Sequence, residues 1–236
     1  MSALAPPRAL APDLWVVYRN FGWLGLDIGG CMTIVRLADG GLLLHSPVAA
    51  DDATFAAVDA LGAVRHLVAP SKAHHLHVGD WARRYPDAAV WGAPGLEKKR
   101  SDLRFTGRLG AEPPAAWGPG FATHVLDGVP GFREVAFLHA PSRTLVLADH
   151  LFRFDGAAPL PTCLMARLIG AYERAAFVDV PLPGTWLVHD RAALRASIDH
   201  VLGWDFDRIV CAHASVVETG GREALRAAYR WLKAPG

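Results

Sequence analysis

Cysteine is scarce in this chain, with only Cys31, Cys163 and Cys211 among 236 residues. Three scattered thiols cannot build a disulfide framework or a cysteine metal knuckle, which fits a reducing compartment. An excess of either charge is also missing, because 24 Lys and Arg nearly cancel 23 Asp and Glu to leave a formal net charge of +1. With no block of like charge there is no electrostatic footprint for nucleic acid or anionic lipid, so neither nucleic acid nor membrane is expected as a partner. No apolar run reaches membrane-spanning length, and the Ala/Pro-rich start from Met1 to Pro12 lacks the basic flank and unbroken apolar stretch of a signal peptide. These absences predict a cytoplasmic protein whose partner is a small-molecule ligand or substrate. There is no internal repeat, low-complexity tract or linker either, which predicts one domain over 1–236, with 1–12 as a flexible N-terminal arm.

Short apolar runs alternating with amphipathic segments are what the sequence does contain. Cys31 to Leu37 and Leu42 to His45 flank Asp39-Gly40-Gly41, a hairpin signal, and the glycine-rich stretch Phe21 to Gly30 before them reads as a surface loop. Ala53 to Leu61 has helical spacing and is followed by a buried strand, Val64 to Val68. Glu134 to His139 and Thr144 to Ala148 read as antiparallel strands. Pro161 to Ala176, with Leu164, Leu168, Ile169 and Tyr172, reads as an amphipathic helix that caps the pocket mouth or makes a homodimer contact. Asp190 to Leu202 and Thr219 to Leu232 are further helices, with the strand Arg208 to Ala212 between them.

Candidate chemistry gathers where strands give way to loops, because a rigid sheet aims the residues that follow it. His74, His75 and His77 follow one buried strand, Asp149 and His150 a second, and His213 a third. Each alone reads as a cap or a satisfied core residue. Their coincidence at three strand exits points to a metal or acid-base site, since imidazole and carboxylate are ligands of zinc and iron. His45, in His45-Ser46-Pro47, is a further pocket candidate, while His66, His124, His189 and His200 read as structural. Lys98, Lys99 and Arg100 read as a solvated basic turn.

In order and spacing these segments resemble the metallo-β-lactamase superfamily. Ala69-Pro70-Ser71-Lys72-Ala73-His74-His75 stands in the place of its Thr-His-x-His-x-Asp-His signature. Ala148-Asp149-His150-Leu151-Phe152 is similar to Gly-Asp-Thr-Leu-Phe, Ala212-His213-Ala214 to Gly-His-Gly, and Val129-Pro130-Gly131-Phe132 to the Thr-Pro-Gly-His segment. The nearest likeness is to a branch known as a domain of unknown function, DUF4336. The resemblance implies an α/β four-layer αββα sandwich. It also implies that the first metal position is lost, because Pro70, Lys72 and Phe132 replace its three histidines and none is a normal ligand. The second position keeps His75, His213 and Asp149, with His74 in place of an aspartate, which suits one divalent ion, zinc or iron. Lys72 is then expected either beside Asp149, standing in for the lost cation, or pointing to solvent from its loop, with His77 and His150 around the site.

Two classes of function follow from this reading. One is a metal-dependent hydrolase of a small ester, thioester, amide or phosphate, with Asp149 orienting water and Lys72 stabilising the oxyanion. The other is a non-catalytic module that binds a small anion through Lys72 and the histidines, and redox chemistry at a lone iron is a third possibility.

Overall fold

The structure, a computed structural model, describes residues 6–177, 181–182, 185–213 and 215–232. The first five residues of the expected arm, and Ala214 of the Ala-His-Ala segment, lie outside the described residues. The chain runs β1 (Arg8–Ala11), β2 (Leu14–Arg19), β3 (Gly22–Trp23), β4 (Leu26–Asp27), β5 (Gly30–Arg36), β6 (Leu42–His45), α1 (Asp52–Asp59) and β7 (Val64–Ala69). It continues through α2 (Val78–Arg84), β8 (Ala89–Gly92), α3 (Leu96–Lys99), β9 (Gly107–Arg108), β10 (Phe121–Val125), β11 (Val135–His139) and β12 (Thr144–Val146). Then come α4 (Leu160–Leu168), β13 (Pro181–Leu182), β14 (Thr185–Trp186), α5 (Arg191–Leu202), β15 (Arg208–Val210) and α6 (Gly221–Ala228).

Two sheets carry the fold, one in the order β1-β2-β5-β6-β7-β8-β9 and the other β10-β11-β12-β15. Their strands alternate between two apolar layers, as the period of two requires. Cys31, Val35, Leu43 and Val68 of the first sheet meet Val135, Phe137, Val146 and Val210 of the second in a core between the sheets. The intervening residues Met32, Ile34, Leu44 and Leu67 face outward and pack with Val58, Val78 and Trp81 of α1 and α2. On the far side Leu138, Leu145 and Ile209 pack against Leu194, Ile198 and Leu225 of α5 and α6. The layers are therefore helix, sheet, sheet, helix, the αββα sandwich.

Local chemistry explains the turns. At the β5–β6 hairpin Asp39 Oδ1 accepts from Gly41 N at 2.9 Å and Gly40 takes φ +82°, a conformation that glycine adopts without a Cβ clash. Asp51 and Asp190 cap α1 and α5 by accepting from Thr54 N and Ala193 N.

Three sequence expectations are corrected. The arm is not loose throughout, because Arg8–Ala11 pairs antiparallel with β2. The loop from Phe21 to Gly30 contains a small hairpin, β3–β4, whose turn at Leu24 and Gly25 has φ of +48° and +78°, and Asp27 Oδ1 closes its base by accepting from Phe21 N and Gly29 N. The helix from Pro161 stops at Leu168 instead of reaching Ala176. Gly170 at φ +73° ends it, with Ala171 N donating to Ala166 O and Gly170 N to Arg167 O, the double bond of a Schellman stop. The side chains that α4 buries are Thr162, Cys163 and Ala166, so Leu164 and Leu168 point outward and the expected apolar face is inverted.

Candidate metal centre

The four parallel strands β6, β7, β12 and β15 all end at one edge of the sandwich, and the residues just beyond them converge there. His74, Asp149 and His213 form the group of metal-ligating side chains among the described residues, with one ligand atom of each within 4.8 Å of the others. Asp149 Oδ1 lies 3.1 Å from His74 Nε2 and 3.6 Å from His213 Nε2, and the two imidazole rings are 4.8 Å apart.

Each ring is oriented from behind. His213 Nδ1 donates to Gly29 O at 2.6 Å. A carbonyl can only accept, so the proton sits on Nδ1 and the neutral ring presents the Nε2 lone pair to Asp149. Burial first, and then the charge of His74, push the His213 pKa down to about 4, which keeps it in that neutral form. Phe152 stacks on the same ring at 6.0 Å and Phe21 lies against it at 5.4 Å. His74 Nδ1 is 2.8 Å from Ser46 Oγ. Burial opposes its charge, yet the charge and hydrogen bond of Asp149 outweigh that, so the His74 pKa is raised. Asp149 is held in its carboxylate form by His74 and His213 against the cost of burial. Its second oxygen, Oδ2, is buried with no partner.

This geometry can accept a cation. His213 Nε2 and the Asp149 carboxylate are two acceptors aimed at each other, and acceptors face one another favourably only with a proton or a metal between them. The Gly29 carbonyl fixes the His213 tautomer a metal needs, and Ser46 Oγ, which can donate or accept, holds the His74 ring from behind.

Several expected site residues lie elsewhere. His75 is adjacent to the cluster in sequence but is not part of it. Arg100 Nη1 donates to its Nδ1 at 3.1 Å and to its carbonyl at 2.7 Å. Arginine only donates, so Nδ1 is the acceptor, Nε2 carries the proton, and neither nitrogen is left to bind a metal. Burial and the nearby Lys99 and Arg100 lower the His75 pKa to about 4. The basic turn is thus a clamp, since Lys99 Nζ also donates to Lys72 O at 2.8 Å.

Lys72 does not stand in for a cation beside Asp149. Its ammonium end lies against Gly95, where an added Cβ would come within 3.4 Å of Nζ, and the groups that stabilise the Asp149 charge are His74, His213 and His150. The backbone is held by Lys72 N donating to Phe132 O, and the side chain extends to Gly95 at the start of α3. Lys72→Ala is therefore expected to stay within about 1 kcal/mol of wild type in a denaturant titration and to leave metal content unchanged. A larger loss in either would contradict this placement.

His45 is buried under the site, edge-on to Phe137 at 4.7 Å, because residue 45 shares the inward face of β6 with Leu43. Ser46, the next residue, reaches His74 instead, in a left-handed conformation at φ +56°. His77 lines the cavity and sits 3.7 Å from Asp80. His150 is fully buried beneath the site, not in it, with Nδ1 2.9 Å from Glu134 Oε2. Glu134, itself fully buried, also accepts from the backbone N–H groups of Ala148, Asp149 and His150 at 2.7, 2.7 and 3.1 Å. The loop that presents Asp149 is therefore tied to one carboxylate. Of these supports Ser46 could have been inferred from its strand exit, whereas Glu134 and the Gly29 carbonyl leave no trace at sequence level.

Two sheets between helices, with a histidine-carboxylate cluster at one edge, are the metallo-β-lactamase fold. A metallo-β-lactamase from Pontibacter korlensis matches with a TM-score of 0.66 at 11% identity over 97% of this chain and 99% of that one. One from Erythrobacter litoralis, with β-mercaptoethanol in its active site, matches at 0.66 and 13% identity over 96% and 95%. The FIM-1 enzyme of Pseudomonas aeruginosa in its mono-zinc form gives 0.64 and 11% identity over 99% of both chains. Within that fold the chain belongs to the family described as Domain of unknown function (DUF4336), which matches residues 12–176. No curated protein matches the sequence. Among the described residues no helix is long and apolar enough to cross a membrane.

Proposed function

We propose that this protein is a metal-dependent hydrolase with a mononuclear centre in which His74, Asp149 and His213 hold one divalent ion. The observation that carries this reading is the lone pair of His213 Nε2 facing the Asp149 carboxylate at 3.6 Å, a repulsive pairing unless a cation joins it. Two imidazoles and a carboxylate suit zinc or iron, and three protein ligands leave a position open for substrate or water. Bound there, the ion supplies Lewis acidity that activates water near neutral pH and polarises a carbonyl oxygen. The chain's own contribution is orientation. Gly29 O and Ser46 Oγ fix the two rings, Glu134 fixes the backbone of Asp149, and the unpartnered Asp149 Oδ2 is available to align a water or take its proton. The positions of the family's other metal hold Pro70, Lys72 and Phe132, so a one-ion site is the form this chain supports.

Elemental analysis of the purified protein tests the reading, with near-stoichiometric zinc or iron expected. His213→Ala and Asp149→Ala should lose that metal while remaining folded. Ser46→Ala, which removes only the support behind His74, should weaken metal affinity by about 10- to 100-fold. Wild-type metal content in both ligand variants, or a metal-free wild type that takes up no added zinc, would sink the proposal.

A further inference from the structure

The metal cluster forms part of the wall of a cavity of about 370 Å³, and the rest of that wall is largely apolar. Phe21, Ile28, Val48, Phe152, Phe154 and Met165 line it alongside His74, Asp149 and His213. The lining also continues outward. Large apolar side chains are exposed at few places in the described structure, and three of them, Trp23, Leu76 and Ile169, belong to this cavity's wall. Leu24, Leu160, Leu164 and Leu168 are the others, and all four lie on the β3–β4 hairpin or on α4. Apolar wall residues thus extend from the ligand cluster to the exterior, with Arg19, Asn20 and His77 among them. An exposed apolar collar of this kind marks a binding site more often than chance exposure does.

We infer that the substrate is a carboxylic ester or thioester with a single unbranched apolar acyl chain, seated along this wall with its carbonyl at His74, Asp149 and His213. The inference rests on the hydrolase reading for the reaction, while chain binding stands on the cavity alone. A highly charged phosphate ester fits less well, because most of the wall is apolar and Arg19, the one guanidinium in it, already donates to Tyr18 O and Thr54 Oγ1. At roughly 30 Å³ per non-hydrogen atom, the share of a water in the liquid, the cavity holds about a dozen such atoms. That corresponds to a carbonyl with a chain of medium length, and a longer chain would emerge along Trp23 and Ile169. Hydrolysis adds one water across the acyl bond. Hydroxyl goes to the acyl carbon, the C–O or C–S bond breaks, and the leaving oxygen or sulfur takes the proton.

The binding half is tested without metal or turnover. Titration calorimetry of chelator-treated protein with neutral 2-alkanones, from 2-pentanone to 2-pentadecanone, should show affinity rising about three- to four-fold per methylene, the equivalent of the ~0.8 kcal/mol gained on burying one CH₂. The rise should flatten near twelve non-hydrogen atoms. Ile169→Asp and Trp23→Asp alter solvent-exposed positions, and each should weaken 2-undecanone binding at least about ten-fold while leaving zinc uptake unchanged. Affinity that ignores chain length, or variants that bind like wild type, would overturn the inference whether or not the protein holds metal. On zinc-loaded protein, p-nitrophenyl octanoate should be cleaved with a higher kcat/KM than p-nitrophenyl acetate. If alkanones bind as expected and neither ester is cleaved, the acyl-ester assignment falls together with the hydrolase reading. If both esters are cleaved equally, only the chain assignment falls.

Discussion

Glu134→Ala is expected to destabilise the protein by at least about 4 kcal/mol, a large part of the roughly 5 to 15 kcal/mol that holds a typical domain together. The carboxylate is fully buried and accepts four hydrogen bonds, three from consecutive backbone N–H groups at residues 148–150 and one at His150 Nδ1. Truncation leaves those donors buried without partners, at about 1 to 3 kcal/mol each. Glu134→Gln keeps the shape and one oxygen but turns an amide N–H toward backbone N–H groups, so a smaller loss of about 2 to 3 kcal/mol follows from one or two unsatisfied donors. The Gln variant is the informative one for function. Because the carboxylate positions the backbone of Asp149 without touching the cavity, Gln should also weaken zinc affinity by about 10- to 100-fold, the usual cost of disturbing the groups behind a ligand. Urea titration and zinc competition on the same preparations check both. A Glu134→Ala protein within about 1 kcal/mol of wild type would show that the loop does not depend on this clasp.

That dependence also explains how far the sequence could be read. Layer order was legible because strands such as Cys31 to Leu37 and Thr144 to Ala148 carry apolar residues on both faces, and in an αββα sandwich both faces are covered. Strand exits located Asp149 and His213, since the end of an apolar run is visible in one dimension. What the sequence hid was which of two neighbours turns inward. His74 and His75 are adjacent and identical in chemistry, and the choice between them is made by Arg100, 25 positions further on in the sequence, which takes His75 Nδ1. His45 and Ser46 pose the same problem, settled by the parity of β6. The helix α4 misled for a different reason. Leu164, Leu168 and Ile169 share a face at helical spacing, but the small residues Cys163 and Ala166 allow the closer approach to the body, and the leucines are left outside. Lys72 was placed by analogy with a ligand position, yet a side chain of that length can reach away from it, and its ammonium end lies against Gly95.

Acid should unfold the metal-free protein steeply below pH 6, and buried neutral histidines are the cause. Burial pushes His45 down to about 3 and His213 down to about 4, burial with Lys99 and Arg100 takes His75 to about 4, and burial lowers His66, His124 and His139 as well. The sign follows from linkage. These groups bind protons more tightly in the unfolded chain, near pH 6.5, than in the folded one. Their contribution is therefore intact above 6.5 and is lost as the pH falls toward about 4, and toward about 3 for His45. Each fully shifted group removes about 1.4 kcal/mol per pH unit in that window, so His45, His75 and His213 together set a slope of up to about 4 kcal/mol per unit. His74 works in the opposite sense. Its raised pKa makes the pair with Asp149 most stabilising below the unfolded value of 6.5, and that support is lost as the pH rises through the folded value. One such group cannot offset six. His45 offers the cleanest test, since its Nε2 is buried without a partner and the ring contacts Phe137, so His45→Leu removes the titrating group and leaves no donor stranded. At pH 7 that variant should lie within about 1.5 kcal/mol of wild type. Between pH 6 and 4 its stability should fall less steeply by about 1.4 kcal/mol per unit, measured by urea titration at each pH in the presence of chelator. Parallel curves for the two proteins would mean that His45 takes up its proton without unfolding, and that the acid sensitivity lies with the other histidines.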